Sequence, residues 1–108
     1  MSKADLGFLW LPLLTILVAI PMALGKLPLN RFYGFRTPKT LSSPDIWYRA
    51  NRLAGWDLVI ASVAGIALYL ILKSLDLSLK TLVTCSSVSF AGLILAATGV
   101  ALYQLSKL

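Results

Sequence analysis

The chain has 108 residues, of which 58% are apolar and only 13% are charged, and its formal net charge is +6. A soluble domain usually has about 25% charged and roughly 45–50% apolar residues, so this composition argues against a soluble domain and favours an integral membrane protein. Since the charges lie between hydrophobic segments, anionic lipid headgroups suit them better than nucleic acid, and no nucleic-acid partner is expected.

Three apolar segments are each close to the roughly 20 residues that a helix needs to cross the hydrocarbon core. They are residues 6–24, 53–72 and 82–105. Backbone polar groups in lipid must be paired within the segment, so the pattern predicts three transmembrane helices. Residues 1–108 are therefore predicted to form a single all-α integral membrane domain.

The first span contains Pro12 and Pro21. Each proline removes a backbone donor and clashes with the preceding turn, so a kink is predicted before both. A cleaved signal peptide is the alternative, because Ala23-Leu24-Gly25 contains the small residues that a signal peptidase prefers. The length of the apolar run and the offset of Lys3 by Asp5 favour a retained helix.

The polar loop, residues 25–52, separates the first two spans. Glycine's freedom at Gly34 predicts a tight turn. Ser43 is a suitable N-cap, Pro44 suits the first helical position and Asp45 complements the helix dipole. The loop is therefore predicted to be ordered and to end in a short interfacial helix, residues 44–53. It carries six basic residues, Lys26, Arg31, Arg36, Lys39, Arg49 and Arg52.

Side chains around the start of the second span suggest how this loop meets the membrane. Trp47, Tyr48 and Trp56 are typical of a membrane interface. Asp45 and Arg49 are four residues apart and can pair across one helical turn.

Small residues recur in the second and third spans, as in the pairs Ala61–Gly65 and Gly92–Ala96. Small side chains let helices approach closely in lipid, so a homo-oligomer is one possible assembly. Cys85 is the single cysteine and lies in an apolar stretch, where it is expected to be a small buried side chain. It has no partner for a disulfide or a metal site, and no cofactor or metal is expected.

Charge distribution predicts the orientation. The polar loop and Lys107 hold seven basic residues, while the other side holds three, Lys3, Lys73 and Lys80. The positive-inside rule therefore predicts a multi-pass protein of the cell membrane with the N-terminus outside and the C-terminus in the cytoplasm.

The loop also carries a recognisable motif. Asn30-x-x-Tyr33-Gly34-x-Arg36-Thr37-Pro38-x-Thr40-Leu41, followed by Trp47, Asn51-Arg52 and Gly55, resembles the SdpI family of small bacterial and archaeal membrane proteins. The family is named for an immunity protein that protects its producer from a secreted peptide toxin. The resemblance implies immunity to a membrane-active peptide, or sensing of it together with a regulatory protein.

The chemistry of this segment is anion recognition or ion pairing. Arginine side chains are planar forks of N–H donors that match phosphate or carboxylate, and Asn30 and Asn51 are expected to orient the arginines. Asp57 is an ionisable group inside the second span, which is costly unless it is paired, and Arg36 or Arg52 is its expected partner. The alternatives are a structural clamp between Asp57 and the arginines, or a bound headgroup or peptide. The predicted polar cluster comprises Asn30, Tyr33, Arg36, Trp47, Arg49, Asn51, Arg52 and Asp57.

The chain has no histidine, and apart from Asp45 no second carboxylate lies near Asp57 in the sequence. General acid–base chemistry therefore has no support, and the protein is not expected to be an enzyme. The leading hypothesis is a non-catalytic SdpI-type membrane protein in peptide immunity or sensing, with membrane lipids and a peptide toxin or regulatory protein as partners. The alternative is a lipid- or solute-binding, transporter-like oligomer.

Overall fold

The computed structural model describes residues 2–108. In chain order their elements are α1 (Lys3–Phe8), α2 (Trp10–Ala23), a 3-10 helix (Thr40–Ser42), α3 (Pro44–Lys73) and α4 (Leu79–Ser106). Strands do not occur within these residues, which confirms the predicted all-α class.

The first apolar segment is a helix broken at Leu9. Pro12 has no amide hydrogen to donate to the carbonyl of Phe8, so the break lies where the proline predicts a kink. Pro21, by contrast, lies inside α2 without ending it. At the start of α1 the Ser2 hydroxyl accepts from the Asp5 amide, and the Asp5 carboxylate accepts from the Ser2 amide.

α3 begins as the sequence predicts. The Ser43 hydroxyl accepts a 3.2 Å hydrogen bond from the Ile46 amide, and Pro44 holds the first helical position. The short interfacial helix and the second span are, however, a single unbroken helix of 30 residues. Gly55 does not interrupt it, because this glycine is used for close packing against α2: a Cβ there would lie 2.4 Å from the amide nitrogen of Ala23.

α4 extends a few residues beyond the predicted third span at its start. Ser78 is its N-cap, and its hydroxyl accepts from the Thr81 amide at 3.2 Å. Cys85 lies on the outer face of α4 and is exposed, so the expectation that it is buried was wrong.

Two of the helices, α3 and α4, are long and apolar enough to cross a membrane, and α2 is a shorter apolar helix. Large apolar side chains remain exposed on all three, for example Leu17 at 66% and Leu95 at 73%. Apolar exposure on this scale indicates a surface that contacts another apolar phase.

α3 is the central helix, packed against α2 and against α4. The core forms two clusters, one beneath the loop and one at the far end. At the far end the ring of Phe8 stacks on Tyr69, with centroids 5.2 Å apart, and meets Phe90 edge-on. The buried members beneath the loop are Met22, Leu27, Trp47, Ala54 and Ala101; those at the far end are Ala4, Phe8, Tyr69, Leu82 and Phe90.

Candidate functional site

Trp47 anchors the loop between α2 and α3 (residues 24–43, hereafter the basic loop). Its side chain is fully buried, and its indole Nε1–H donates to the carbonyl oxygen of Leu27 at 2.9 Å. The basic loop covers the ring of Trp47, whereas a tryptophan in contact with lipid headgroups would leave its ring exposed. Trp56, in contrast, is half exposed, as an interfacial tryptophan would be.

Asn51 is the second anchor, one helical turn after Trp47. Its Oδ1 accepts from the amide of Phe35 at 2.7 Å. Its Nδ2 donates to the carbonyl oxygens of Trp47 at 3.0 Å and of Phe35 at 3.3 Å. With only 1% of its surface exposed, Asn51 pairs both backbone groups of Phe35 and fixes the basic loop on α3 rather than orienting an arginine.

The first half of the basic loop is a turn organised by Asn30. Its Oδ1 accepts from the amides of Phe32 and Tyr33, and its Nδ2 donates to the carbonyl of Pro28 at 2.8 Å. Gly34 follows with a φ of 115°, which confirms the predicted turn. A Cβ at Gly34 would lie 2.8 Å from Asn51 Oδ1, so the position requires glycine for space as well as for conformation.

The second half of the basic loop is held by reciprocal hydrogen bonds between two threonines, which were not predicted from the sequence. Thr40 Oγ1 accepts from the Thr37 amide at 2.7 Å, and Thr37 Oγ1 accepts from the Thr40 amide at 3.1 Å. Threonines three residues apart around a proline are a local signal for such a turn. The neighbouring Lys39 Nζ donates to the carbonyl of Leu105 at 2.9 Å, which ties the basic loop to the end of α4.

The three arginines of the predicted cluster are exposed and do not converge. Arg49 Nη1 lies 3.4 Å from Asp45 Oδ2, the pairing that their spacing predicts, at an exposed site where it contributes little to stability. The guanidinium of Arg52 lies against Gly25, whose φ is +70°. Arg36 has no ion-pair partner within residues 2–108.

The expected ion pair between Asp57 and Arg36 or Arg52 is not formed. The ion pairs of the described chain are Arg49–Asp45 and Lys73–Asp5. Asp57 Oδ2 is buried and has no hydrogen-bond partner among residues 2–108. The reason is geometric: Asp57 faces a groove between α3 and α4, whereas Arg52 extends toward the end of α2.

An apolar cavity lies beneath the basic loop where α2, α3 and α4 meet. Its volume is about 320 Å³. Tyr33, Gly34 and Phe35 of the basic loop form part of its wall, so Tyr33 belongs to the site while remaining 37% exposed. The helices line the remainder with Val18, Met22, Ala54, Leu58, Ala97, Thr98 and Ala101.

A second polar cluster joins the opposite ends of α1 and α3. The Tyr69 hydroxyl donates to Asp5 Oδ1, and Lys73 Nζ lies 3.0 Å from the same oxygen. The Tyr69 hydrogen bond, then that of Lys73, holds the pKa of the Asp5 carboxyl well below its usual range. Asp5 is more than 60 positions from both Tyr69 and Lys73, so no local spacing in the sequence reveals the cluster.

The site therefore combines an ordered, cationic surface with an apolar cavity behind it. Exposed guanidinium groups can bind phosphate or carboxylate, and the cavity can hold an apolar group of about its own volume. This arrangement suits an amphipathic ligand with an anionic group.

The model of the SdpI/YfhL protein family matches residues 26–104. The chain belongs to the SdpI/YfhL protein family. The match covers the basic loop from Lys26 onward, all of α3 and nearly all of α4, and it confirms the resemblance carried by the loop motif. No curated protein and no solved structure matches the chain.

Family membership and geometry together explain much of the motif. Asn30, Gly34, Trp47, Asn51 and Gly55 serve the architecture of the basic loop and its contact with α2. Arg36, also a motif residue, makes no such contact and is available to a ligand.

Proposed function

We propose that this member of the SdpI/YfhL family crosses the membrane three times. The first crossing is the apolar segment of residues 6–24, which α1 and α2 cover as far as Ala23 and which is close to the roughly 20 residues that one crossing needs. The excess of Lys and Arg in the basic loop and the start of α3 supports an orientation with these segments and the C-terminus in the cytoplasm and the N-terminus outside.

Within the membrane the protein acts without catalysis, in immunity to or sensing of a membrane-active peptide. The observation that carries this proposal is the fixed basic loop, within the family-matched segment, with exposed Arg36 beside a wall of the apolar cavity. Phe35 lines that cavity and Arg36 follows it directly, so an apolar group and an anionic group of one ligand fit side by side. Carboxylates of a peptide and phosphates of headgroups share this chemistry.

Protection of cells tests the function. Bacteria producing the protein are challenged with secreted membrane-depolarising peptides, and the membrane potential is followed with a voltage-sensitive dye. We expect slower depolarisation than in cells without the protein, and loss of most of this protection in Arg36→Gln.

Arg31→Gln is the matched control, since Arg31 is an exposed arginine of the same loop outside the motif. Equal depolarisation with and without the protein contradicts the immunity role. Solute flux through the purified protein in liposomes would instead support the transporter-like alternative.

A further inference from the structure

A groove runs along the contact between α3 and α4, separate from the α2 side of the bundle. Its volume is about 210 Å³. Asp57 is its only ionisable side chain among the described residues, and the others are apolar. The groove is lined by Asp57, Ile60, Ala61, Ala64, Leu93, Ala96, Ala97 and Val100.

Asp57 places in this groove a carboxylate that has no ion-pair partner among residues 2–108. One carboxylate oxygen is buried without a hydrogen-bond partner among residues 2–108. The nearest cation along the helix, Arg52, starts about 7.5 Å away along the axis and is directed to Gly25. A carboxylate at this depth is costly unless it is paired, and its other oxygen, Oδ1, is not fully buried and can be reached by a donor from outside the bundle.

The walls of the groove are shaped for a helix. The groove is shallow because its lining includes the small side chains of Ala61, Ala64 and Ala96. Small side chains allow helix backbones to approach closely in lipid. Gly92 and Gly99 lie one turn on either side of Ala96, and a Cβ at either would meet no atom within 4 Å. The surface beside the groove is thus open to a neighbour.

We infer that this groove docks an apolar membrane helix of a partner protein or peptide, and that one Lys or Arg side chain of this helix pairs with Asp57. The inference rests on the membrane-spanning arrangement of the proposed function. It adds a partner class and a contact face distinct from the basic loop.

Charge complementarity favours this occupant over the alternatives. A lipid chain has no donor for a carboxylate, and an anionic headgroup is repelled by it. A second copy of this chain brings no cation to the same depth, because residues 6–24, 53–72 and 82–105 contain neither Lys nor Arg. A cation carried within the apolar helix of a different chain matches this depth better than one from outside the spans of a second copy.

Energy transfer in vesicles tests the inference. The probe is a synthetic Leu/Ala helix of about 22 residues with one Lys about two turns from its end, labelled with an acceptor fluorophore. The protein carries a donor on a cysteine appended after Leu108, with Cys85 replaced by serine. We expect saturable transfer with the Lys peptide and at least roughly tenfold weaker association with the same peptide carrying Leu.

Matched variants locate the contact. Asp57→Asn should weaken association with the Lys peptide roughly tenfold, and the exposed Asp45→Asn on the same helix should not. Ala96→Leu should block the groove, whereas Ala91→Leu, on the exposed opposite face of α4, should leave association unchanged.

Three results would overturn the inference: equal association of the Lys and Leu peptides, unchanged association in Asp57→Asn, or transfer between two copies of the protein that Ala96→Leu abolishes without any peptide association. The last result would make this face a homo-oligomer contact. Protease protection of the spans in the same vesicles verifies the membrane arrangement separately, so its failure is distinguishable from failure of docking.

Discussion

The indole nitrogen of Trp47 lies 2.9 Å from the carbonyl oxygen of Leu27, and this bond joins the start of α3 to the chain leaving α2. Both residues are buried in the cluster beneath the basic loop. The bond therefore holds the loop down at its beginning, as Asn51 does in its middle.

Trp47→Phe removes the indole donor while keeping an aromatic ring. We expect a loss of about 1–3 kcal/mol in the free energy of unfolding, because the buried Leu27 carbonyl then lacks a partner. Thermal unfolding in detergent measures it. Trp56→Phe is the control, since Trp56 is half exposed on the same helix and should change little. Equal effects of the two variants would contradict the anchoring role.

Asn51→Ala should release the middle of the basic loop. Three hydrogen bonds to the backbone of Phe35 and Trp47 are lost, and partly buried backbone groups are left unpaired. The measurement is the rate of trypsin cleavage at Arg31 and Arg36, which should rise severalfold. Asn30→Ala removes bonds within an exposed turn and should act less at Arg36; the reverse order would argue against Asn51 as the anchor.

Gly55→Ala should separate α2 from α3. A Cβ at this position meets the backbone of Ala23 at 2.4 Å, and such overpacking costs typically about 1–3 kcal/mol. Gly92→Ala is the matched change in α4, where a Cβ meets nothing and the variant should gain about 0.5–1 kcal/mol from helix propensity. Thermal unfolding of the two variants should move in opposite directions, and a shared direction would be inconsistent with the α2–α3 contact.

Asp5 should make stability depend on acid. The hydrogen bonds of Tyr69 and Lys73 lower the pKa of Asp5 from its ordinary 3.8, so their stabilisation is present above that pH and is lost as the pH falls below it. Asp5→Asn should remove this contribution to the dependence of the melting temperature on pH. Asp76→Asn is the control, because Asp76 is exposed in the turn between α3 and α4 and its positive φ suits asparagine equally. A slope unchanged by Asp5→Asn would disprove the link.

Arg31→Cys, with Cys85 replaced by alanine, tests the orientation. Arg31 is exposed and forms no ion pair within residues 2–108, so a cysteine there reports access to the basic loop. An impermeant thiol reagent should label it only after the membrane is opened. Labelling in sealed cells would put the basic loop outside and allow direct capture of an external peptide.

Local chemistry made much of the fold predictable from sequence. Ser43 and Pro44 signal the start of α3, Gly34 signals a turn, and Pro12 signals the break in the first apolar segment. Each of these effects acts within a few residues, so the sequence alone is enough to predict it.

Contacts between residues on different elements could not be predicted from the sequence. Tryptophan is a residue type that is common at membrane interfaces. Trp47 is instead a core residue because the basic loop packs over it. Asp57 and Arg52 are five residues apart, yet the helix directs them to different neighbours. The cluster of Asp5, Tyr69 and Lys73 depends on the packing of α1 against the far end of α3.

The unbroken course of α3 has a mechanical consequence. Thirty residues make a rod about 45 Å long, with the basic loop seated on one end and Lys73 at the other. A tilt of about 5° pivoting at the loop end displaces the far end by about 4 Å, which exceeds the 3.0 Å distance between Lys73 Nζ and Asp5 Oδ1. In the proposed membrane-spanning arrangement, a ligand bound to the basic loop on one face would strain or break the Lys73–Asp5 ion pair on the other face.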